Sequence, residues 1–183
     1  MHVASKLAPT RARSGVRYRV EPRRTTVGHD KPSPTRTPGT ANRQGLCPCQ
    51  IYLVTVVTDH RAVRFRDCAP AWAVSAVLHD NASWRDASDL AWVLMPDHWH
   101  ALVQLGESST LSTVMQRAKS ISARAANRAS GRSGQVWQPA FHDHALRSEE
   151  DLLAFARYLV ANPVRAGLVR SVRNYPFWNA VWL

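Results

Sequence analysis

Hydrophobic and polar positions become regular about a quarter of the way along the chain. Residues 50–58 are apolar and β-branched almost throughout, which predicts a central strand. Small and apolar side chains recur at spacings of three and four over Cys68–His79, which predicts a helix. Two further apolar runs, 89–95 and 98–105, are separated by a Pro-Asp dipeptide that favours a tight turn. These two runs therefore predict an antiparallel strand pair.

The second half of the chain continues the alternation of helices and strands. Apolar side chains share one face over residues 111–128, which predicts a helix there, and a further helix is predicted over 149–161. Residues 140–147 are interpreted as a fourth strand, 164–169 as a short helix or turn, and the aromatic end, 175–183, as packed against the domain. The order β-α-β-β-α-β-α predicts an α+β fold, namely a ferredoxin-like βαββαβ antiparallel sheet with an added C-terminal helix.

The N-terminal segment differs from the rest of the chain. Residues 1–48 contain six of the 11 prolines and show no apolar periodicity, so we predict a disordered basic tail and place the folded domain at 49–183. This segment holds ten Lys and Arg but only two acidic residues, which accounts for +8 of the net charge of +11. An organelle transit peptide has a similar composition, and so would translation from a start codon upstream of the true one.

Composition excludes several classes of protein. No apolar run approaches the ~20 residues of a membrane span, and the first residues lack the apolar core of a signal peptide. Three cysteines cannot build a disulfide framework, and Cys47 and Cys49 do not have the spacing of a zinc ribbon. We therefore expect a cytoplasmic protein of one domain, without a membrane partner.

The helix predicted over 111–128 is cationic. No acidic residue occurs between Glu107 and Asp143. The cations on the helix that we single out are Arg117, Lys119 and Arg124. A helix face that is merely solvated usually carries both signs of charge, and that alternative stays open. We interpret these cations as contacts to nucleic-acid phosphates.

Two histidines open the second strand of the predicted pair. Side chains alternate along a strand, so His98 and His100 point to the same face and are able to bind one divalent cation. Two imidazoles would leave most of the coordination sphere open for substrate oxygens. The spacing does not name the metal, and the three-residue pattern also arises by chance.

Tyr158 and Asn162 are four residues apart on the last predicted helix, so their side chains share one face. A tyrosine hydroxyl is able to attack a phosphodiester, although its ordinary pKa of about 10 calls for a nearby cation or base. Asn162 offers a neutral oxygen ligand beside the histidines. The alternatives are a tyrosine with its ring in the core and an asparagine that caps the helix before Pro163.

Three blocks of sequence together resemble the REP-associated tyrosine transposases, which are single-tyrosine members of the HUH (His-hydrophobic-His) nuclease class. The blocks are 94–100 (LMPDHWH), 141–147 (FHDHALR) and 158–169 (YLVANPVRAGLV). They occur in the family's order, and the resemblance covers roughly residues 50–183.

The resemblance implies a role for each residue of the candidate site. His98 and His100 match the metal pair, Asn162 completes the metal site and Tyr158, on the added helix, is the catalytic tyrosine. The metal would be Mg²⁺ or Mn²⁺, and imidazole ligands suit Mn²⁺. The substrate would be single-stranded DNA beside a hairpin formed by a palindromic repeat, cut to leave a 5′-phosphotyrosyl link and a free 3′-OH.

Further residues lie in or beside the matching blocks. Arg165 is a candidate phosphate contact, together with the cations of the 111–128 helix. His144 belongs to a second H-x-H pattern with His142. We expect a structural role for it, with support of the metal site or a contact to DNA as the alternative, and we assign neither histidine as a metal ligand.

Together these features predict a metal-dependent single-stranded DNA endonuclease and strand transferase. We expect it to act in the cytoplasm with the nucleoid, as a monomer or a homodimer. The alternative from another class is a non-catalytic nucleic-acid-binding module, because ferredoxin-like sheets commonly present such surfaces. A hydrolase that uses metal-bound water is a third reading, and it predicts cleavage without a covalent adduct.

Overall fold

The computed structural model describes residues 50–147 and 152–182. The predicted tail and the first residues of the predicted 149–161 helix lie outside the described residues. The strands are β1 (Ile51–Val57), β2 (Ala87–Met95), β3 (His98–Leu105), β4 (His142–Ala145) and β5 (Trp178–Ala180). The helices are α1 (Cys68–His79), α2 (Asn81–Trp84), α3 (Leu111–Ser130), α4 (Leu152–Val160) and α5 (Asn162–Arg165).

The strands form one sheet in the order β4-β1-β3-β2-β5, and each neighbouring pair is antiparallel. The first four strands have the split arrangement predicted from the sequence, which confirms the α+β, ferredoxin-like fold class. The fifth strand was not predicted, because three residues in an aromatic-rich segment are too short to show an alternating pattern. Tyr175, Phe177 and Ala180 are buried, so the aromatic end does pack against the domain.

Several element bounds follow from local signals. The bounds of α1 and β3 agree with the prediction. Thr110 caps the start of α3, and its side chain accepts a hydrogen bond from the N–H of Thr113. The helix ends at Gly131, which adopts the left-handed φ of 64° that glycine tolerates best. The predicted fourth strand is shorter than expected, because only His142–Ala145 pairs with β1.

One face of the sheet is covered by α1, α2 and α3. Trp99 of β3 is fully buried and makes edge contacts with Trp84 of α2 and Trp137, at ring-centroid distances of 6.1 and 6.4 Å. The indole N–H of Trp137 donates to the hydroxyl of Ser122 in α3, over 3.0 Å. The side chain of Trp99 therefore points into the helical core, and with it the odd-numbered positions of β3.

The opposite face of the sheet carries the even-numbered positions of β3, including His98, His100 and the buried Leu102. Helix α4 packs against β2, β3 and β5. Its buried residues, Ala156, Leu159 and Val160, supply the apolar cover on that side.

The side chain of Lys119 in α3 binds the backbone of the segment that leads into β4. Its ammonium donates to three successive backbone carbonyls, those of Gln138, Pro139 and Ala140, over 2.7, 2.6 and 3.3 Å. Partial burial lowers the pKa of Lys119. Its three donors are thus engaged within the fold.

Replacing Lys119 with methionine keeps the apolar stem and removes the three hydrogen bonds. We expect Lys119→Met to lower the free energy of unfolding by about 1–2 kcal/mol, because hydrogen bonds from a charged donor are stronger than neutral ones. Urea denaturation measures the change. Arg128→Met, at an exposed position of the same helix, is the control and should stay within about 0.5 kcal/mol of the parent. Equal free energies of unfolding for the two variants would show that the three hydrogen bonds of Lys119 do not stabilise the fold.

Asp89 of β2 is a buried carboxyl that gives the fold a defined pH dependence. Burial raises the pKa of Asp89 to about 6, and the nearby His79 and Asn179 oppose this shift. The folded state therefore binds more protons than the unfolded state between about pH 4 and 6, so this group's contribution to stability falls as the pH rises through that window.

We expect Asp89→Asn to stabilise the protein by up to about 3 kcal/mol at pH 7.5 and to leave it unchanged at pH 4. The quantity to measure is the difference in unfolding free energy between variant and parent at each pH. The opposite titration of His100, whose pKa is lowered to about 4, cancels in that difference. A difference that does not depend on pH would show that Asp89 is not the titrating group.

Candidate functional site

His98 and His100 lie side by side at the start of β3, with ring centroids 4.7 Å apart. The Nδ1 atom of each ring is already engaged. His98 Nδ1 lies 2.6 Å from Oδ1 of Asp97, and His100 Nδ1 lies 2.8 Å from Oγ1 of Thr55 on β1. Each imidazole therefore keeps Nε2 as the nitrogen available to a ligand, an arrangement typical of metal-binding histidines.

The electrostatics of the pair favour a neutral ring at His100. Burial, together with the neighbouring His98, lowers the pKa of His100 to about 4, and Asp97 opposes the shift. At neutral pH the His100 ring is therefore uncharged. Arg61 lies 3.8 Å from the second oxygen of Asp97, so the carboxylate is shared between a guanidinium and His98.

These donors fit a divalent cation that keeps open positions. Within the residues that the structure describes, no three of His, Cys, Asp and Glu cluster as a potential metal-binding group. From this described part of the chain, an ion held by His98 and His100 would therefore draw neutral oxygen ligands, with water or substrate in its other positions. Two nitrogen donors suit Mn²⁺ better than Mg²⁺, which prefers oxygen.

Asn162 is held at a break between two helices rather than within one helix. Because Pro163 has no N–H, the carbonyl of Leu159 lacks the donor that a continuous helix would supply. The side-chain amide of Asn162 donates to that carbonyl instead, over 3.0 Å. The prediction that Tyr158 and Asn162 share one helix is thus wrong, since α4 ends at Val160 and α5 begins at Asn162. The amide oxygen of Asn162 remains available as an acceptor.

Tyr158 projects from α4 on the side of the molecule where the sheet carries the histidine pair. Its side chain is 54% exposed, whereas the next residue of α4, Leu159, is buried. The guanidinium of Arg165 lies 4.0 Å from the centre of its ring. Across the described part of the chain, the Tyr158 hydroxyl forms no hydrogen bond, including none with either imidazole. The phenol is therefore open to an incoming substrate.

The second histidine pair lies on the same sheet face, on the edge strand β4. His142 is directly opposite Thr55 on β1, which in turn is opposite His100, and His144 is opposite Leu53. Residues directly opposite each other in a sheet point to the same side. By register, His142 rather than His144 is the closer of the two to the candidate metal pair. Both are exposed.

The predicted DNA-binding cations of α3 lie on the other side of the sheet. Arg117 donates to the carbonyl of Ala82 over 3.1 Å, and Arg124 donates to the hydroxyl of Ser120 over 2.7 Å. Lys119 is bound to the carbonyls before β4. The structure thus pairs His98 with His100 and Tyr158 with Arg165, and helix α4, which carries Tyr158, packs against β2, β3 and β5.

Sequence reasoning missed the residues that support the histidines. Thr55 lies in a strand that is apolar almost throughout, and a polar residue at position 55 was the only signal. Asp97 was interpreted as a turn residue, although its carboxylate also holds His98. Arg85, which lies close to the α3 cations, gave no signal in the sequence.

Among residues 50–147 and 152–182, no helix has the length and apolar character that crossing a lipid bilayer requires.

This chain is similar to known transposases. Residues 47–159 match the family model described as "Transposase IS200 like". A REP-associated tyrosine transposase of Escherichia coli K12 is 31% identical over 87 residues, which is 48% of this chain and 50% of that protein. A relative from Haemophilus influenzae is 32% identical, covering 48% of this chain and 56% of its own length. The chain thus spans about half the length of the curated relatives it matches.

A solved structure supports the same assignment. The structure of a REP-associated tyrosine transposase bound to a REP hairpin aligns with a TM-score of 0.56 and 26% identity, and covers 76% of this chain and 82% of the other. The resemblance to the REP-associated tyrosine transposases is therefore confirmed. The family model matches more than half of the residues of this chain, so the chain belongs to the IS200-like transposase family.

Proposed function

We propose that the chain is a metal-dependent single-stranded DNA endonuclease and strand transferase that works through a covalent tyrosyl intermediate. The observation that carries the proposal is the placement of Tyr158 on a helix that covers the same sheet face as His98 and His100. The relative solved with a REP hairpin supports a hairpin-bearing DNA as the substrate. We place the activity in the cytoplasm with the nucleoid, where such DNA occurs.

Each residue of the site has a defined task in this proposal. His98 and His100 hold the ion through Nε2, with Asp97 and Thr55 orienting the rings. The amide oxygen of Asn162 completes the protein's share of the ligands. A bound Mg²⁺ or Mn²⁺ would supply charge neutralisation at the scissile phosphate.

The reaction exchanges one phosphoester for another. Tyr158 Oη attacks phosphorus, a bond forms between them, and the bond from phosphorus to the 3′ oxygen breaks. The phenol proton passes to solvent, since the ring is 54% exposed, and the departing 3′ oxygen takes up a proton. The product is a 5′-phosphotyrosyl link and a free 3′-OH, which reverses the step or joins another strand.

Arg165 serves the same step from the other side of the tyrosine. Its guanidinium lies against the Tyr158 ring and limits the orientations of the phenol. The positive charge of Arg165 beside the phenol would attract the negatively charged phosphate. Because α4 covers the sheet face of its own chain, we propose that Tyr158 is supplied in cis, so that a monomer is sufficient.

Replacing Tyr158 with phenylalanine tests the nucleophile. We expect Tyr158→Phe to abolish the denaturant-resistant protein–DNA adduct formed with labelled, hairpin-bearing single-stranded DNA and Mn²⁺, while binding of that DNA stays within about twofold. Tyr175→Phe is the matched control. Its hydroxyl is buried and donates to the carbonyl of Leu94 over 2.6 Å, so this variant should lose stability but keep the adduct.

Three results of this experiment distinguish the candidate functions. Cleavage without an adduct in the parent protein indicates a hydrolase that uses metal-bound water. Binding without cleavage indicates a non-catalytic nucleic-acid-binding module. Normal adduct formation by Tyr158→Phe overturns the assignment of the nucleophile.

Substitution of His100 tests whether the two histidines bind a metal ion. In His100→Asn, the shorter amide reaches the position of Nδ1 and keeps the contact with Thr55, but it has no atom at the position of Nε2. We expect a larger loss of Mn²⁺ affinity than the about 10–100-fold expected for Thr55→Val, which removes only the supporting hydroxyl. Titration of free Mn²⁺ by electron paramagnetic resonance measures both. Equal affinities in the parent and His100→Asn would contradict the metal site.

A further inference from the structure

A short loop between β1 and α1 has a strained backbone and lies against the turn that carries the histidine pair. His60 has a φ of 52° and a ψ of 24°, and Arg61 has a φ of 52°. Two successive residues with a Cβ atom thus adopt the left-handed conformation, which is uncommon outside glycine and is concentrated at functional sites. Their side chains are 91% and 70% exposed. We refer to residues 58–62 as the strained loop.

Hydrogen bonds join the strained loop to the residue before His98. Thr58 is fully buried, and its backbone N–H donates to the carbonyl of Asp97 over 2.8 Å. Its hydroxyl lies 2.8 Å from the same carbonyl oxygen. The N–H of Arg61 in turn donates to the carbonyl of Thr58 over 3.0 Å. The backbone, rather than a contact between side chains, therefore sets the position of Arg61 beside Asp97.

The ion pair between Arg61 and Asp97 is too long and too exposed to explain this placement by stability. Nη1 of the guanidinium lies 3.8 Å from Oδ2 of the carboxylate, which is longer than a hydrogen bond. Exposed ion pairs of this kind contribute little to the free energy of unfolding. Within the described residues, the guanidinium donates no hydrogen bond, so its five N–H groups are available to a ligand.

The negative charge of Asp97 acts on the histidine site in two opposite ways. Its Oδ1 atom lies 2.6 Å from Nδ1 of His98, the ring that is proposed to hold an ion together with His100. A carboxylate at this place attracts a divalent cation, but it repels the DNA phosphate that must reach the same ion. In the part of the chain that the structure describes, Arg61 is the arginine that forms an ion pair with Asp97. Its charge weakens both effects.

We propose that Arg61 is a phosphate-binding residue of the reaction. Its charge offsets that of Asp97, and its available N–H groups bind a phosphate of the unpaired DNA strand that enters the histidine site. A guanidinium suits both tasks, because one edge of its planar fork can face a carboxylate while another edge binds a phosphate. This inference rests on the proposed function, because it takes DNA as the substrate and the two histidines as ligands of the ion.

Replacing Arg61 with asparagine in the full chain tests the proposal. Asparagine tolerates the left-handed conformation and removes the guanidinium. We expect Arg61→Asn to bind an unpaired oligonucleotide, without metal, about three- to tenfold more weakly, with a salt slope that is smaller by about 0.7 for one lost phosphate contact. Affinity for Mn²⁺ without DNA, measured by electron paramagnetic resonance, should rise about two- to fivefold, because the charge of Asp97 is no longer offset.

The opposite directions of these two changes separate a role of Arg61 in the site from damage to the fold, which would weaken both affinities. The melting temperature of Arg61→Asn should equal or exceed that of the parent, because asparagine suits the strained loop. Arg61→Lys keeps the charge without the fork, so its Mn²⁺ affinity should stay within about twofold of the parent.

Arg66→Asn is the matched control for net charge. Arg66 is an exposed arginine shortly after the strained loop, and it forms no ion pair among the described residues. Because exposed charges are screened by salt, this variant should keep both affinities within about twofold of the parent.

Unchanged oligonucleotide affinity in Arg61→Asn overturns the proposal, and so does an Mn²⁺ affinity that does not rise in that variant. Equal changes in Arg66→Asn also overturn it, because the effect would then be one of net charge alone. Adduct formation by the parent with hairpin-bearing DNA is measured separately. Its absence contradicts the proposed function, whereas the comparison of Arg61→Asn with Arg66→Asn still decides the role of Arg61.

Discussion

The alternation of side chains along β3 is the constraint on which the candidate site depends. Trp99 fills the helical core and is fully buried between Trp84 and Trp137. The residues on either side of it, His98 and His100, must then point to the other face. A slip of register by one residue would bring a tryptophan to the surface and two imidazoles into the core, so packing energy enforces the orientation of the two histidines. The hydrophobic middle residue is thus as much a part of the site as the histidines.

The surroundings of the candidate nucleophile, Tyr158, depend on a second local constraint, the proline after Asn162. Without that proline, α4 would continue and the Asn162 side chain would be one more polar group on a helix surface. In place of the missing N–H, the Asn162 amide nitrogen donates to the carbonyl of Leu159, which fixes the side chain and leaves the amide oxygen as its acceptor. Arg165, one turn further on, folds over the Tyr158 ring. The break in the helix therefore organises three side chains at once.

The sequence predicted the fold well where periodicity and turn residues agree. The bounds of α1 and β3 were right because each has a strong pattern and a clear start. It failed where the signal is in the backbone or in long-range pairing. The three residues of β5 become a strand only because β2 offers an edge to pair with. The conformation of Arg85 follows from a tight connection between α2 and β2. Arginine as a residue type does not predict the positive φ that it adopts there.

The cations of α3 show a similar limit. The sequence gives their charges, but only the structure gives the groups that surround each of them. The sequence showed three cations on α3 and gave them one role, whereas the structure gives them different environments. Lys119 has its ammonium enclosed by carbonyls, so its charge is used within the fold, while Arg117 and Arg124 line an open cleft. A lysine is a compact donor that three carbonyls can surround, and a guanidinium is a broad fork that three carbonyls cannot saturate. The residue type therefore already separates the two environments, because the lysine is enclosed by carbonyls and the arginines are not.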